Sequence, residues 1–439
     1  MRNMTKRQPD PRAHRLNMSR FLSSTFRSLR VRNFRLFTVG QLVSVAGTWM
    51  MVVAQDWLVL SITDGSARAL GLVTALQFTP LLLFTLYGGR LADRYDKRTL
   101  LVVANLASAL LACGLGVITL TGRVQLAHIC LFALGLGVVN AVEVPARMAF
   151  VGELVGSELL PNASALSAAY FNVARVAGPA LAGALIAWLG TGTVMLLNSV
   201  SYAATLAALL LMRTAEIHRA PRPAERGRVR DGLRYTAGRR DLVVVLALAG
   251  AVGVFGMNFQ LTLPLMAKTE FRSDVAAFGW LTSALAAGSL AAALVATARR
   301  SRPSARMVTG AALAFGAAET AAGYAPSFVT ALALLALTGF TSIWFAQAAN
   351  HRLQLGTAPQ YKGRVLALYT LVVQGSTPIG AVLVGVFTDL TGARAGLVVG
   401  GLLSCVAAAA AIAAERTRSK QPAALAEIPQ SPLRPEKLT

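Results

Sequence analysis

The chain has 439 residues, a formal net charge of +23 and a mean hydropathy of +0.57, with 55% hydrophobic and only 14% charged residues. Soluble domains carry about 25% charged residues, so this composition excludes an ordinary soluble domain. Apolar runs of about 20 residues recur, long enough to cross a hydrocarbon core of roughly 30 Å as helices. Because they are too long and too uniformly apolar for barrel strands, they predict an all-α membrane protein.

In chain order, the sequence predicts two six-helix bundles joined and flanked by polar segments. The segments are a basic N-terminal arm over 1–35, an N-terminal bundle over 36–212, a cytoplasmic linker over 213–240, a C-terminal bundle over 241–414 and a disordered tail over 415–439. The expected spans are approximately 36–60, 69–90, 98–121, 126–149, 161–189, 191–212, 241–266, 275–298, 306–324, 328–350, 363–389 and 392–414.

Two stretches of the first half have counterparts about 200 residues later. "LGLVTAL" at 70–76 matches "FGWLTSA" at 278–284, and "GPALAGALIAWLGTG" at 178–192 matches "TPIGAVLVGVFTDLTG" at 377–392. Both pairs fit a duplication of six spans across the linker. Two parallel six-helix halves with a binding site between them are an architecture of secondary transporters.

The Lys and Arg residues are concentrated on one predicted side of the membrane. Of the 42 Lys and Arg residues, 36 fall in segments that twelve alternating spans place on one side of the membrane. This excess predicts that both termini are cytoplasmic, and we expect no nucleic-acid partner. The first 35 residues lack a short apolar core with a cleavage site, so we expect no cleaved signal peptide.

No motif for a metal, a cofactor or ATP hydrolysis is present in the sequence. Cys113, Cys130 and Cys405 each lie in a predicted span, and no G-x-x-x-x-G-K-[ST] loop occurs. We therefore expect no metal or cofactor, no enzymatic activity, and energy supplied by an ion gradient.

Three groups of residues resemble one transporter family. "GGRLADRYDKR" at 88–98 resembles the signature between the second and third helices of the major facilitator superfamily, and Gly178, Pro179 and Gly183 resemble its antiporter motif. The stretches 33–60, 142–155 and 363–385 are similar to the drug:proton antiporter branch that includes the enterobactin exporter and macrolide efflux proteins. Asp96 stands where the signature commonly has Gly, and we expect Asp to tolerate a left-handed backbone there.

The resemblance implies a major facilitator fold and export of a lipophilic small molecule, of drug, macrolide or siderophore type, by proton antiport with alternating access. It further implies a multi-pass protein of the bacterial cytoplasmic membrane, and we expect a monomer. An uptake permease of the same fold is an alternative. A membrane receptor or scaffold that docks a partner through the basic linker is another.

The charged turn is a candidate gate. Its residues are Gly89, Asp93, Arg94, Lys97 and Arg98. Gly89 is expected to let backbones approach closely, and Asp93 to face the start of the eleventh span, where a helix N-terminus stabilises a carboxylate. The three cations could pair with Asp93, Asp96 or Glu143. We hypothesise that this cluster holds the two halves together in the outward-facing state. The alternative is that it only determines the topology and membrane insertion of the chain.

Four charged residues inside the spans are candidates for proton coupling, because intramembrane charge is costly and mostly functional. Glu143 and Arg147 are i,i+4 and can pair, with Pro145 between them. Asp56 could carry the proton or lie solvated at the outer interface. Arg175 could contact an anionic substrate or hold a carboxylate. Glu319, near the outer end of the ninth span, is expected to snorkel to water.

Neutral polar residues in the first, fifth, seventh and tenth spans are candidates for lining a mostly apolar cavity. We expect a helix break near Asn258 and Gln260, just before Pro264. Interhelical hydrogen bonding is the alternative role for each candidate. The candidates are Gln41, Gln55, Asn172, Asn258, Gln260, Trp344, Gln347 and Asn350.

Overall fold

The computed structural model describes residues 26–218, 229–297 and 302–419, and every long element in them is a helix. The first half contains six helices. They are α1 (Arg32–Ile62), α2 (Ala67–Arg94), α3 (Lys97–Leu120), α4 and α5 (the arms 126–155 and 157–189 of the helical run Leu126–Leu189), and α6 (Thr191–Leu210).

The run Leu126–Leu189 reverses direction at Gly156. That residue has φ +72° and ψ 176°, a backbone conformation that is essentially restricted to glycine. A straight helix of 64 residues would be about 96 Å long, three times the hydrocarbon thickness. Ile129 from the start of α4 and Ile186 from the end of α5 belong to one hydrophobic cluster, so the two ends of the run return to the same part of the molecule.

The second half contains a short linker helix and a second set of long helices. They are α7 (Val229–Ala237), α8 (Arg240–Phe255), α9 (Phe259–Leu265, continued by a π-helical turn over Met266–Glu270), α10 (Val275–Thr297), α11 (Ala305–Gly323), α12 (Phe328–Gly356), α13 (Lys362–Thr391) and α14 (Ala393–Ser419). The break between α8 and α9 over 256–258 lies where the sequence predicts one.

Side-chain caps begin four of these helices. The side chains of Ser66, Asp96, Ser304 and Ser327 each accept a hydrogen bond from the backbone N–H three residues on, at the starts of α2, α3, α11 and α12. A cap of this kind satisfies one of the donors that a helix N-terminus leaves unpaired. Each of these helices therefore starts at a polar turn, two of them (α2 and α12) at one face of the bundle and two (α3 and α11) at the opposite face.

The turns define two faces. The linker face carries the turn at 95–96, the segment 211–218 and the segment 357–361, and the far face carries the turns at 63–66, 121–125, 271–274 and 324–327. The bundles meet along α2 against α13 and α5 against α10. These contacts lie in the middle and towards the far face, as when the Ser283 hydroxyl donates to the Val176 carbonyl at 2.7 Å.

The observed helices agree with the predicted spans except at some ends. α2 continues to Arg94, so "GGRLADR" is helical and the turn itself is only two residues long. The predicted linker contains α7, and its residues 219–228 lie outside the described residues. The predicted tail begins as helix, since α14 reaches Ser419; residues 1–25 of the predicted arm and 420–439 of the tail also lie outside them.

Ten helical segments of the described chain are long and apolar enough to cross a membrane. That number treats α4 with α5 as one segment, although Gly156 separates them, and leaves out α11, which contains Glu319. The all-α prediction is confirmed for the described residues, while the count of twelve crossings and the domain boundaries stay predictions.

Candidate substrate cavity and its charged groups

A cavity of about 350 Å³ lies between the two halves. Helices of both bundles line it: α1, α2 and α5 on one side, and α9, α10, α12 and α13 on the other. The wall is mostly apolar and contains the aromatic side chains of Trp49, Phe78, Phe259 and Phe278. Such a volume and lining are typical of sites for small amphipathic molecules.

Asp56 and Arg175 are the charged residues of the cavity wall. The Asp56 side chain is 3% exposed, and its Oδ2 has no hydrogen-bond partner. Arg175 is partly buried and makes no ion pair with any described residue. Burying an ionised group without a partner is costly, so these two residues are available for a proton or a substrate. The alternative of a solvated Asp56 at the outer interface is wrong.

The helical repeat places Asp56 in the cavity. Trp49, Val52, Val53 and Asp56 are spaced i, i+3, i+4, i+7 and therefore share one face of α1. On α5, Arg175 and Pro179 share a face in the same way. Because both faces point at the same space, a carboxylate and a guanidinium from two helices enter one cavity.

The antiporter-motif glycines lie at helix contacts. A Cβ added to Gly178 would stand 2.6 Å from the Trp49 Cβ, so this glycine lets α5 approach α1. A Cβ added to Gly183 would stand 2.8 Å from the Ala276 Cα, at the contact of α5 with α10 in the other half. Pro179 lines the cavity. The three residues therefore determine how closely α5 packs on α1 and on α10, and Pro179 forms part of the cavity wall.

Glu143 and Arg147 form the ion pair that their spacing predicts, with 2.9 Å between Glu143 Oε1 and Arg147 Nε. Both side chains are largely buried in α4, on either side of Pro145, and neither lines the central cavity. A carboxylate already neutralised by its neighbour is a weaker candidate for the coupled proton than Asp56.

Two cations of the candidate gate have partners other than the expected Asp93, Asp96 and Glu143. Lys97 Nζ lies 2.5 Å from Oε1 of Glu153, a residue of α4. Arg98 donates from Nε to the Leu209 carbonyl at 2.7 Å and so caps the end of α6. The sequence did not predict these two partners, which arise because the fold brings α4 and α6 over the start of α3.

Other details of the candidate gate also differ from expectation. Asp96 has φ −62°, which is not left-handed, and it accepts hydrogen bonds from Thr99 as the cap of α3. A Cβ on Gly89 would meet nothing within 4 Å, whereas one on Gly88 would collide with the Ala141 carbonyl. The glycine that permits close helix approach is therefore Gly88. The Arg94 guanidinium lies 5.9 Å from the centre of the Tyr95 ring, and Asp93 is half-buried near the end of α2.

Among the eight polar candidates, Gln260 lines the central cavity. Four of the others are amides that hydrogen-bond within their own helix or to the next one, as expected in an apolar helix. Gln55 donates to the Gln77 side chain, Asn172 donates to the Ala168 carbonyl, Asn258 donates to the Val254 carbonyl, and Asn350 accepts from Gln354. Gln41 is buried in α1. Trp344 and Gln347 line a separate small void of about 10 Å³ near Met307.

Sequence reasoning missed several residues that the structure brings to this site. Trp49, Phe78, Phe278, Thr282 and Ser289 line the cavity. The residue spacing along the helices could have identified four of them. Trp49 is two turns before Asp56 on α1, and Phe278, Thr282 and Ser289 share one face of α10. Within the described residues, no group of three or more His, Cys, Asp or Glu could hold a metal ion.

The sequence analysis also did not predict two polar contacts between the bundles at the far face. Asp389 of α13 lies at the start of α2, where its Oδ1 accepts a hydrogen bond from the Ala67 N–H at 2.9 Å and its Oδ2 pairs with Arg68 Nε at 3.0 Å. Lys268 of the second half donates to the Leu60 carbonyl at the end of α1 at 2.5 Å. Both contacts join the two bundles at the far face.

Glu319 does not snorkel to water. Its side chain is 2% exposed and its Oε2 has no hydrogen-bond partner. It lies inside the second bundle, between α11, α14 and the α8–α9 break.

Residues 23–438 match the family model described as "transmembrane secretion effector". The chain belongs to this family of the major facilitator superfamily. It is thus a membrane transporter and not an enzyme, and a multi-pass bacterial membrane protein. The multidrug efflux pump Tap of Mycolicibacterium fortuitum is 28% identical over 82% of this chain and 90% of its own. The enterobactin exporter EntS of Shigella flexneri is 27% identical over 80% of this chain and 84% of its own.

The fold is shared with solved transporters of low sequence identity. A bacterial homologue of the human lysosomal transporter Spinster, crystallised in an inward-facing and occupied conformation, superimposes with a TM-score of 0.69 at 14% identity, covering 88% of this chain and 97% of its own. At this identity the likeness establishes the fold alone.

Proposed function

We propose that the protein is a secondary active exporter that moves a lipophilic small molecule, of drug, macrolide or siderophore type, out of the cell in exchange for protons. The observation that carries this proposal is the mostly apolar cavity between the bundles with Asp56 and Arg175 in its wall. The names of the relatives, a multidrug efflux pump and an enterobactin exporter, support the direction and the kind of substrate.

The distribution of contacts between the bundles supports alternating access. Asp389 and Lys268 connect the two halves at the far face. The basic segments favour a cytoplasmic linker face, and bundles joined at the far face are consistent with an inward-open state. Outward opening would require separation of these far-face contacts and closure of the linker face.

Asp56 is the residue that we assign to the proton. It is the carboxylate of the cavity wall, whereas Glu143 is paired with Arg147. A proton and a substrate that compete for one buried carboxylate are bound alternately, because each binds the form that the other removes. Competition of this kind couples proton entry to substrate exit without further machinery.

The test is transport by the purified chain in sealed liposomes under an imposed proton gradient, with a panel of drugs and siderophores. We expect the gradient to drive movement of at least one compound. Asp56→Asn should abolish gradient-driven accumulation while leaving substrate exchange across the membrane in place. Glu158→Gln, a change at an exposed carboxylate of the linker face, is the matched control and should transport normally.

Accumulation in everted and right-side-out vesicles separates export from the alternative of uptake by the same fold. Export predicts accumulation in everted vesicles when their interior is acidic. A panel in which no compound moves, or an Asp56→Asn variant with normal gradient-driven transport, would contradict the proposal.

A further inference from the structure

The Glu319 carboxyl occupies a slot made by two glycines. Its Oε2 lies 2.9 Å from the point where a Cβ on Gly256 would stand, and its Oε1 lies 3.2 Å from the corresponding point on Gly400. A Cβ at Gly256 would come too close to the carboxyl, and a Cβ at Gly400 would be in tight contact with it. The slot is therefore shaped around this side chain, on the side of α11 that faces α14 and the α8–α9 break.

The slot offers acceptors rather than cations. The Phe255 carbonyl lies 2.5 Å from the same Cβ point of Gly400, and the Ser404 hydroxyl, which lies 2.6 Å from the Cβ point of Gly256, donates to the Gly400 carbonyl. A protonated carboxyl can donate to a carbonyl that a helix break leaves free, whereas an ionised one would face that oxygen without compensation.

The titratable and charged groups of the neighbouring elements do not compensate a negative charge on Glu319. In the described part of α14, the Cys405 thiol interacts with Glu319 electrostatically but is no cation. Arg394, at the far-face end of α14, pairs with Glu270 at 2.8 Å and donates to the Ala325 carbonyl at 2.8 Å. The α8–α9 break itself, over 256–258, carries no charged residue.

The break has two sides, and the second side is the wall of the substrate cavity. Met257, Phe259 and Gln260 line that cavity, while Gly256 contacts Glu319. The Phe259 ring also packs edge-to-face on Phe315, with 6.2 Å between ring centres, and Phe315 lies one helical turn before Glu319. A change in the slot is therefore transmitted to the cavity wall through a single residue layer.

We propose that Glu319 is a second proton-binding site, located behind the cavity wall, and that its protonation closes the α8–α9 break into the conformation seen here. Loss of the proton requires the carboxylate to gain water or donors. Gly256 and the adjoining turn must then move, and Met257, Phe259 and Gln260 move with it. Protonation of Glu319 thus determines the positions of the cavity-wall residues on the side of the cavity nearest to it.

Infrared spectroscopy of the purified full chain in lipid nanodiscs tests the proton site directly. The wild type should show a protonated-carboxyl band from Glu319 that disappears as pH rises, separate from any band of Asp56, and Glu319→Gln should lack it. Asp56→Asn, which removes the carboxylate assigned to transport coupling, should keep this band. A spectrum of Glu319→Gln that retains every titrating carboxyl band of the wild type would overturn the proposal.

Backbone hydrogen exchange over residues 252–262 tests the coupling to the break. After correction for intrinsic exchange rates, the wild type should lose protection by about threefold or more as Glu319 deprotonates, while Glu319→Gln should stay protected at all pH values. Glu270→Gln, a carboxylate of the same bundle paired with Arg394, should behave as the wild type. Equal pH dependence in wild type and Glu319→Gln would overturn the coupling.

A second variant keeps the proposal testable if Glu319→Gln does not fold. Ser404→Ala leaves the carboxyl in place and removes the hydroxyl beside it, so it should shift the pH midpoint of the same infrared band. An unshifted midpoint would place the titrating carboxyl elsewhere. None of these readouts requires transport. A negative result would therefore overturn the Glu319 proposal and leave the exporter function untouched, and a failure of the transport test would leave the Glu319 proposal untouched.

Discussion

The far-face contact of Asp389 should set the balance between the inward-open and outward-open states. Its carboxylate, from the second half, accepts hydrogen bonds from the Ser66 hydroxyl and the Ala67 N–H and pairs with Arg68, all at the first turn of α2 in the first half. Opening of the far face breaks every one of these contacts, whereas opening of the linker face preserves them. Removing the carboxylate should therefore destabilise the inward-open state selectively.

The magnitude follows from the geometry. A side chain that satisfies the N–H groups at a helix start contributes about 0.5–2 kcal/mol, and a negative charge there adds about 0.3–1 kcal/mol. The Arg68 side chain is 53% exposed, so its ion pair adds little. A total of about 1.5 kcal/mol corresponds to a tenfold change in the ratio of the two states. Asp389→Ala should produce that change, and Asp389→Asn, which keeps an acceptor, a smaller one.

The assay is a distance measurement between spin labels on exposed far-face positions of the two halves, for example Thr121 and Tyr324, in a background without the native cysteines. Asp389→Ala should raise the long-distance, outward-open population about tenfold relative to the inward-open one. Glu270→Gln breaks a carboxylate–arginine pair on the same face but within one bundle, and should change nothing. Equal populations in Asp389→Ala and wild type would refute the assignment of this contact as a far-face lock.

Three further predictions follow from the packing and the cavity. Glu153→Gln leaves Lys97 without its partner in a largely buried site, so it should lower folding stability by about 3–5 kcal/mol, measured by denaturation in detergent. Gly178→Ala forces α5 away from α1 and should cost about 1–3 kcal/mol by the same measurement, whereas Gly114→Ala, with nothing within 4 Å of the added Cβ, should cost none. Arg175→Gln should weaken binding of anionic compounds about tenfold or more while sparing neutral ones, measured by ligand-induced fluorescence change.

The helices could be predicted from the sequence because lipid leaves the backbone few choices. A segment in the hydrocarbon core must satisfy its own hydrogen bonds, so each apolar run becomes a helix wherever it is long enough. The break near Asn258 was predicted in place but not in cause: Pro264 lies inside α9, and a proline acts on the carbonyl four residues before it, whereas the break lies over 256–258. Helix ends were less predictable: α2 continues through charged residues to Arg94 because the chain there is already at the polar face.

The pairing of charges could be predicted only within a helix. The pair of Glu143 with Arg147 follows from i,i+4 spacing. Lys97 and Glu153 are 56 residues apart, and their contact depends on how α3 packs on α4. Asp389 is separated from Ala67 by 322 residues, so its contact depends on how the halves meet. A sequence shows which residues are costly to bury, but the tertiary packing decides which of them receive a partner.

That difference in partners separates structural from functional charge in this transporter. Lys97, Arg147 and their carboxylate partners are neutralised inside one bundle, and such pairs can persist through a rigid-body movement of the bundles. Asp389 has its partners across the interface, so in the proposed transport cycle its contacts would break each time the far face opens. Asp56 and Glu319 have buried oxygen atoms with no partner at all. Since an uncompensated carboxylate in lipid is expensive, these two positions are where a proton does most to change the relative energies of the conformations.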